Sequence, residues 1–122
     1  MREEIKSRII SKLLSLQYRA YPIKSKELEA EYGVSSSEIR DIVREMRELG
    51  YPITSSGDGY GYAKSYEEIK PTLLHLKSRA LSMLSTIKKL ENNFIKPDSN
   101  PDLFRESVID DIIESIKQLY KL

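Results

Sequence analysis

Cysteine is absent from this sequence of 122 residues, and glycine and proline are scarce, with five residues each. Without thiols the chain can form neither disulfide bonds nor thiolate metal sites. It also lacks the run of about 18 apolar residues that a membrane helix needs. The opening MREEIKSRII contains no apolar core of the length found in signal peptides. We therefore expect a cytoplasmic protein without a membrane segment, built from one or two small domains.

A strong charge of either sign is missing as well. The 20 Lys and Arg residues nearly balance the 19 Asp and Glu residues, which leaves a net charge of +1. The composition is therefore that of an ordinary globular protein and does not by itself indicate nucleic-acid binding. A surface for an anionic partner would have to come from the local arrangement of a few basic residues.

Helical periodicity is clear in the first third of the chain. Apolar residues recur at helical spacing over residues 3–16, which predicts an amphipathic first helix. Ser25 is the predicted N-cap of a second, short helix over residues 26–32. Gly33 is expected to end this second helix in the left-handed conformation that glycine adopts without strain.

A third helix is predicted directly after a tight turn. Ser35 and Glu38 have the spacing of a capping box, so the helix begins there, and Gly50 ends it. Its apolar residues form one narrow stripe, which we expect to be buried: Ile39, Ile42, Val43, Met46 and Leu49.

A glycine-rich stretch follows the third helix. Alternation over residues 53–55 and 60–62 predicts two short antiparallel strands. Gly57, Asp58 and Gly59 lie between them and can take the positive φ angles of a tight hairpin. Two helices joined by a short turn and followed by a hairpin make a winged helix-turn-helix, in which the hairpin is the wing.

Two stretches, SKELEAEYGVSSSEIRDIVREMRELGYPI and SSGDGYGYA, carry a resemblance to a known family. Through them residues 5–64 are similar to the winged-helix domain of the biotin-operon repressor type. The resemblance implies a DNA-binding winged helix. Two features differ from that family. The wing has Asp58 where the family usually carries Lys or Arg, and the family's large ligand-binding enzyme domain has no counterpart, so biotin chemistry is not implied.

The face of the third helix opposite its stripe carries serine and arginine side chains suited to DNA. Arginine at helical spacing suits guanine edges and phosphates, and serines at a helix start bind phosphate together with free amides. The alternative is a solvated face on which the arginines pair with carboxylates. Asp41 and Glu48 on this face would repel phosphate or accept from cytosine amino groups. The residues predicted to contact double-stranded DNA are Ser35, Ser36, Ser37, Arg40, Arg44 and Arg47.

Residues 65–122 are predicted to form a hairpin of two helices. The first starts near Pro71 or is kinked there, and it carries a heptad stripe over residues 69–94. The second is predicted to have Asn100 as N-cap and Pro101 at its first position. The surplus apolar surface either packs on the first helix of the same chain or forms a homodimer interface, which we favour. That interface would include Leu73, Leu76, Ala80, Met83, Ile87, Leu90, Ile112 and Ile116.

No catalytic, metal or cofactor site is expected. Residues 98–109 begin like a calcium loop, but Leu103 stands where that loop needs glycine and Ile109 where it needs glutamate. His75 is the only histidine, and we expect it to pack or to face solvent. The glycine-rich stretch is not followed by the Lys-Ser/Thr pair of a phosphate loop. We therefore expect neither an enzyme nor a cofactor, and no small-molecule ligand is evident.

The sequence thus predicts a mainly α protein with a small β-hairpin, in two parts. Residues 1–64 form a winged helix-turn-helix domain, and residues 65–122 form an oligomerising helical hairpin. The expected function is sequence-specific binding of double-stranded DNA by a small dimeric regulator of transcription or of a mobile element. The alternative is a winged-helix module that binds another protein and does not read DNA.

Overall fold

The computed structural model describes residues 2–94 and 107–121. These residues form five α-helices, a short 3₁₀ turn (Leu16–Tyr18) and one two-stranded hairpin, so the expected mainly helical class with a small hairpin is confirmed. The elements are α1 (Arg2–Ser15), α2 (Ser25–Tyr32), α3 (Ser36–Glu48), β1 (Ile53–Ser56), β2 (Gly59–Tyr62), α4 (Tyr66–Asn92) and α5 (Val108–Tyr120).

The chain divides into two compact units, Met1–Leu74 and His75–Leu122, and the division falls within α4. The first turns of α4 belong to the first unit because Thr72 anchors them there. Thr72 is only 3% exposed, and its hydroxyl accepts a hydrogen bond from the Ser55 N–H at 3.3 Å. α4 begins at Tyr66 and includes Pro71, so the helix starts before the proline.

Local signals in the sequence fix the turn between α2 and α3. Gly33 has a φ of 64° and ends α2 as predicted. The capping box of α3 is confirmed: the Glu38 N–H donates to Ser35 Oγ at 3.2 Å, and the Ser35 N–H donates to the Glu38 carboxylate at 3.0 Å. The prediction for Ser25 is wrong by one position. Ser25 is the first residue of α2 itself, where its hydroxyl donates to Glu29 at 3.0 Å.

The core of the first unit lies where the first three helices meet β1. The predicted stripe of α3 is buried there with one exception. Leu49 is the C-cap of α3 and is 78% exposed, because it follows the last helical turn and no longer faces the core. The buried apolar side chains of the core cluster are Ile9, Leu13, Leu16, Ile23, Leu28, Ile39, Ile42, Val43, Met46 and Ile53.

The hairpin is held to the segment between α1 and α2 by one antiparallel bridge. Ile23 and Tyr60 exchange two backbone hydrogen bonds of 2.8 Å, so β2 lies between β1 and Ile23. Gly59, next to Tyr60, has a φ of 118°. Gly57 has no positive φ, so the prediction of a left-handed conformation at Gly57 is wrong. Glycine is required at position 59, because the Ile23 backbone crosses directly over it and leaves no room for a Cβ.

In the second unit, α5 begins at Val108. Its N-cap is Ser107, whose side-chain oxygen accepts a hydrogen bond from the Ile109 N–H at 3.2 Å. The Glu91 carboxylate of α4 accepts from the Ser107 hydroxyl at 2.9 Å and also from the Val108 N–H. The predicted cap and first position, Asn100 and Pro101, lie outside the described residues, as does most of the segment considered for calcium.

Candidate nucleic-acid interface

The outer face of α3 is exposed and carries both signs of charge. Its two arginines, Arg40 and Arg44, point away from the buried stripe, as the helical spacing predicted. Ser37 is exposed at the N-terminal end of the same face. Asp41 and Glu48 are also exposed, with 63% and 69% of their side-chain surface accessible. The face is therefore polar and nearly neutral.

Arg40 differs from the other charged residues of this face because its guanidinium makes few interactions within the described part of the chain. It makes one hydrogen bond, from Nη2 to Ser37 Oγ at 3.2 Å, which is a bond between two exposed side chains. Within residues 2–94 and 107–121 no carboxylate lies within ion-pair distance of it. A guanidinium has five N–H donors, so most of the donors of Arg40 are available to a partner.

Arg44 lies between the two carboxylates of the same face. Its Nη2 is 3.6 Å from Asp41 Oδ1, and its Nε is 3.9 Å from Glu48 Oε1. Both distances exceed those of charge-assisted hydrogen bonds, and all three side chains are solvated. This arrangement matches in part the alternative of a solvated, self-paired helix face.

The remaining carboxylates of α3 pair with α1. Glu45 accepts from Lys6 Nζ at 2.7 Å, and this hydrogen bond, together with the negative charge of Glu45, raises the pKa of Lys6 above its usual value. Glu38 forms an ion pair with Arg2. Because α1 neutralises these two acids, the electrostatic character of the outer face of α3 depends on Arg40, Arg44 and the two exposed acids beside Arg44.

Arg47, predicted to contact DNA from the flank of α3, makes hydrogen bonds to β1 within the chain. Its Nε donates to the Ile53 carbonyl at 2.9 Å, and its Nη2 donates to Ser55 Oγ at 3.1 Å. The side chain is half-buried between α3 and β1. Arg47 therefore positions the hairpin relative to α3. Helical spacing alone could not have indicated this contact, since the partners lie in a later element.

The three predicted serines differ in what they offer a ligand. Ser35 Oγ accepts the Glu38 N–H as part of the capping box, so part of its capacity is used within the chain. Ser36 is half-buried, and Ser37 is exposed. All three lie at the start of α3, where free N–H groups and the helix dipole favour an anion.

The predicted wing presents its tip to solvent. Gly57 and Asp58 are exposed, and the Asp58 N–H donates to Ser56 Oγ at 3.2 Å, which orders the turn. Gly59 is half-buried under the Ile23 backbone, so it shapes the hairpin and is not available for contact. The tip thus carries one negative charge, and the nearest cation in sequence is Lys64 at the end of the hairpin.

The residues predicted to form a dimer interface are poorly covered. Leu73, Leu76, Met83, Leu90 and Ile116 are between 38% and 62% exposed. Ala80 is also exposed, and Ile87 and Ile112 are half-buried. His75 is exposed beside them. The described part of the second unit, residues 75–94 and 107–121, contains no buried side chain.

Possible metal ligands do not gather in one place within residues 2–94 and 107–121. Over these residues there is no group of three or more His, Asp or Glu side chains that could hold a metal ion. Over the same part of the chain, no helix is both long and apolar enough to cross a membrane. No model of a known protein family matches the sequence, and no curated protein matches it at a significant level.

Proposed function

We propose that this protein binds double-stranded DNA as a winged helix-turn-helix, with α3 in the major groove and the β1–β2 hairpin as the wing. The order of elements supports this. α1 is followed by the short extended segment at Ile23, then by α2, α3 and the hairpin, and Ile23 pairs with β2 at Tyr60. The turn between α2 and α3 is short and contains Gly33, as in helix-turn-helix motifs.

The observation that carries the proposal is that Arg40 is exposed and makes one hydrogen bond, to Ser37. In helix-turn-helix docking the N-terminal half of the second helix enters the groove, and Arg40 lies in the second turn of α3. It is exposed and has no carboxylate partner among the described residues, so little must be broken before it binds. A guanidinium in this position can donate two parallel hydrogen bonds to a guanine O6 and N7.

Arg44 has a different expected part in the same complex. It lies one turn further along α3, between Asp41 and Glu48. We assign Arg44 to a base or phosphate at the edge of the contact. The DNA-binding protein would act as a regulator of transcription or of a mobile element.

Arg40→Ala is expected to weaken binding to the preferred site by about 1–3 kcal/mol, roughly 5- to 150-fold, and to flatten selectivity at one or two base pairs. The preferred site comes from selection of bound duplexes out of a random pool. Arg8→Ala is a matched control, because Arg8 is exposed on α1 and pairs there with Glu4. It removes the same charge and should change affinity little.

Arg44→Ala distinguishes phosphate from base contact in the same assay. If Arg44 meets phosphate, affinity falls evenly across sequences and the slope of log K against log salt becomes shallower by about one unit. If Arg40→Ala binds the selected site as tightly as the wild type, α3 is not the reader and DNA readout by this face is excluded.

Asp58→Lys is expected to increase affinity for duplex DNA of any sequence, because the wing tip then attracts phosphate and phosphate contacts carry no base information. Glu114→Lys makes the same charge change on an exposed, loosely paired residue of α5 and serves as the control. Filter binding at low salt measures both. An equal effect of the two substitutions would mean that the hairpin does not approach DNA.

A protein-binding role is the second candidate, and the exposed acids favour it. Asp41, Glu48 and Asp58 all lie on the surface that would face DNA. A partner protein with a basic surface would find these carboxylates accessible. Salt dependence separates the two functions, since several phosphate contacts give a steep fall of affinity with salt. A chain that shows no salt-dependent binding to duplex would support the protein-binding module.

A further inference from the structure

Among the residues that the structure describes, the most conspicuous exposed apolar surface is a row of side chains on α4. We call it the α4 stripe, and it consists of Ile69, Leu73, Leu76, Ala80, Met83, Ile87, Leu90 and Phe94. Met83, Leu90 and Phe94 are 62%, 58% and 79% exposed, whereas Ile69 and Ile87 are half-buried. Monomeric proteins seldom leave a continuous apolar surface of this kind in water.

Within the described part of the second unit, α5 leaves most of the α4 stripe exposed. Ile9 and Leu13 of α1 are completely buried in the core of the first unit. α5 is tied to α4 through Glu91, yet no side chain of either helix within the described second unit becomes buried. Ile113, Ile116 and Leu119 of α5 are themselves 41–69% exposed.

We infer that a second copy of this chain covers the α4 stripe, with the two α4 helices antiparallel and Ala80 of each facing Met83 of the other. This inference goes beyond DNA binding and does not depend on it. Three features of α4 support it: the symmetry of the stripe, the sizes of its side chains, and the charges beside it.

The stripe has the same spacing when it is read in either direction. Its members are separated by alternating steps of four and three residues, which is the heptad pattern of helices that pack along a seam. A two-fold axis midway between Ala80 and Met83 therefore brings every member opposite another member. Leu73 then faces Leu90 of the second copy, and Leu76 faces Ile87.

The sizes of the side chains favour the antiparallel arrangement. In a parallel pair each residue faces its own copy, so Ala80 would face Ala80 and leave a void, while Met83 crowded Met83. In the antiparallel pair the small Ala80 lies against the large, flexible Met83 twice, on both sides of the axis. Close packing requires such alternation of large and small residues across a seam.

The charges beside the stripe favour the same arrangement. Lys70 follows Ile69, and Glu91 follows Leu90, on the same side of the stripe. The antiparallel pair places Lys70 level with Asn93 of the second copy and within one turn of Glu91, whose carboxylate also accepts from Ser107 and Val108 of its own chain, and symmetry repeats this arrangement. A parallel pair would place Lys70 level with Lys70 and Glu91 level with Glu91. The dipoles of two antiparallel helices also attract, since each positive end lies beside a negative end.

Cross-linking in the full-length chain tests both the partner and the orientation. Because the sequence contains no cysteine, each single-cysteine variant has one thiol per chain. Leu73→Cys and Leu90→Cys chains are prepared separately and carry tags of different mass. They are refolded together and treated with a short thiol cross-linker. We expect covalent dimers that contain one chain of each kind, and little cross-linking of either variant alone.

The matched control uses Ser78→Cys and Ser85→Cys, which lie on the opposite side of α4 and would be level with each other in the same antiparallel pair. This mixture should give no covalent dimer. Efficient cross-linking of Leu73→Cys to itself would overturn the antiparallel orientation. Absence of cross-links from the Leu73 and Leu90 mixture, with helicity retained by circular dichroism, would overturn the α4 stripe as a seam. DNA binding by the same samples is scored separately.

Discussion

Gly59→Ala is expected to destabilise the first unit by about 2–4 kcal/mol, because the added methyl group has no room and the backbone there is left-handed. A Cβ at this position would contact the carbonyl oxygen of Ile23 and lie 2.7 Å from its carbonyl carbon and 2.9 Å from the Lys24 nitrogen. These are backbone atoms that are held by the Ile23–Tyr60 bridge, so they cannot move aside without breaking it.

Gly57→Ala provides the control in the same turn. Gly57 has no positive φ, and no atom lies within 4 Å of a Cβ built on it. Its substitution should leave stability within a few tenths of a kcal/mol of the wild type. Urea unfolding followed by circular dichroism measures both variants, and the bridge is independently visible as protection of the Ile23 and Tyr60 amides from exchange. Equal stability of the two variants would mean that the Ile23 backbone does not cross Gly59 in solution.

The double substitution Met83→Asp with Ile87→Asp is expected to convert the dimer proposed above to a monomer while the first unit stays folded. Each dimer would then bury four carboxylates without partners, at a cost of several kcal/mol. A cost of about 4 kcal/mol corresponds to roughly a 1,000-fold weaker association. Light scattering over a range of protein concentrations measures the change in mass.

Ser82→Asp with Ser85→Asp is the control for this experiment. It adds the same charge to the same turns of α4, on exposed positions outside the α4 stripe. The control should remain a dimer. A wild-type chain that is already monomeric at tens of micromolar would contradict a dimer interface on α4. A control variant that dissociates as readily as the Met83 and Ile87 variant would show that added charge alone, and not the α4 stripe, causes the dissociation.

Those parts of the fold that depend on neighbours in sequence could be predicted. The Ser35–Glu38 capping box, the left-handed Gly33 and the buried stripe of α3 each follow from spacings of three or four residues. Such contacts form within one or two helical turns, so the sequence encodes them directly. The same holds for the exposed position of Arg40, which is fixed by its angle from Ile39 around the helix.

Contacts between residues that are far apart in sequence could not be predicted, because no periodic sequence pattern indicates them. The bridge between Ile23 and Tyr60 is a single residue pair and has no alternation of its own. Arg47 reaches β1 through a long side chain whose direction the helical spacing leaves open. Thr72 is a polar residue beside the α4 stripe, and only the hairpin that lies against it explains its burial.

Ser55 joins three elements of the first unit at one residue. Its hydroxyl accepts from Arg47 of α3, and its N–H donates to Thr72 of α4. The angle between α3 and the hairpin is therefore set before any partner arrives. A pre-set angle spares the complex the loss of entropy that ordering a loose hairpin would incur. In the DNA complex proposed above, a hairpin held at one angle would favour duplexes whose groove geometry matches that angle.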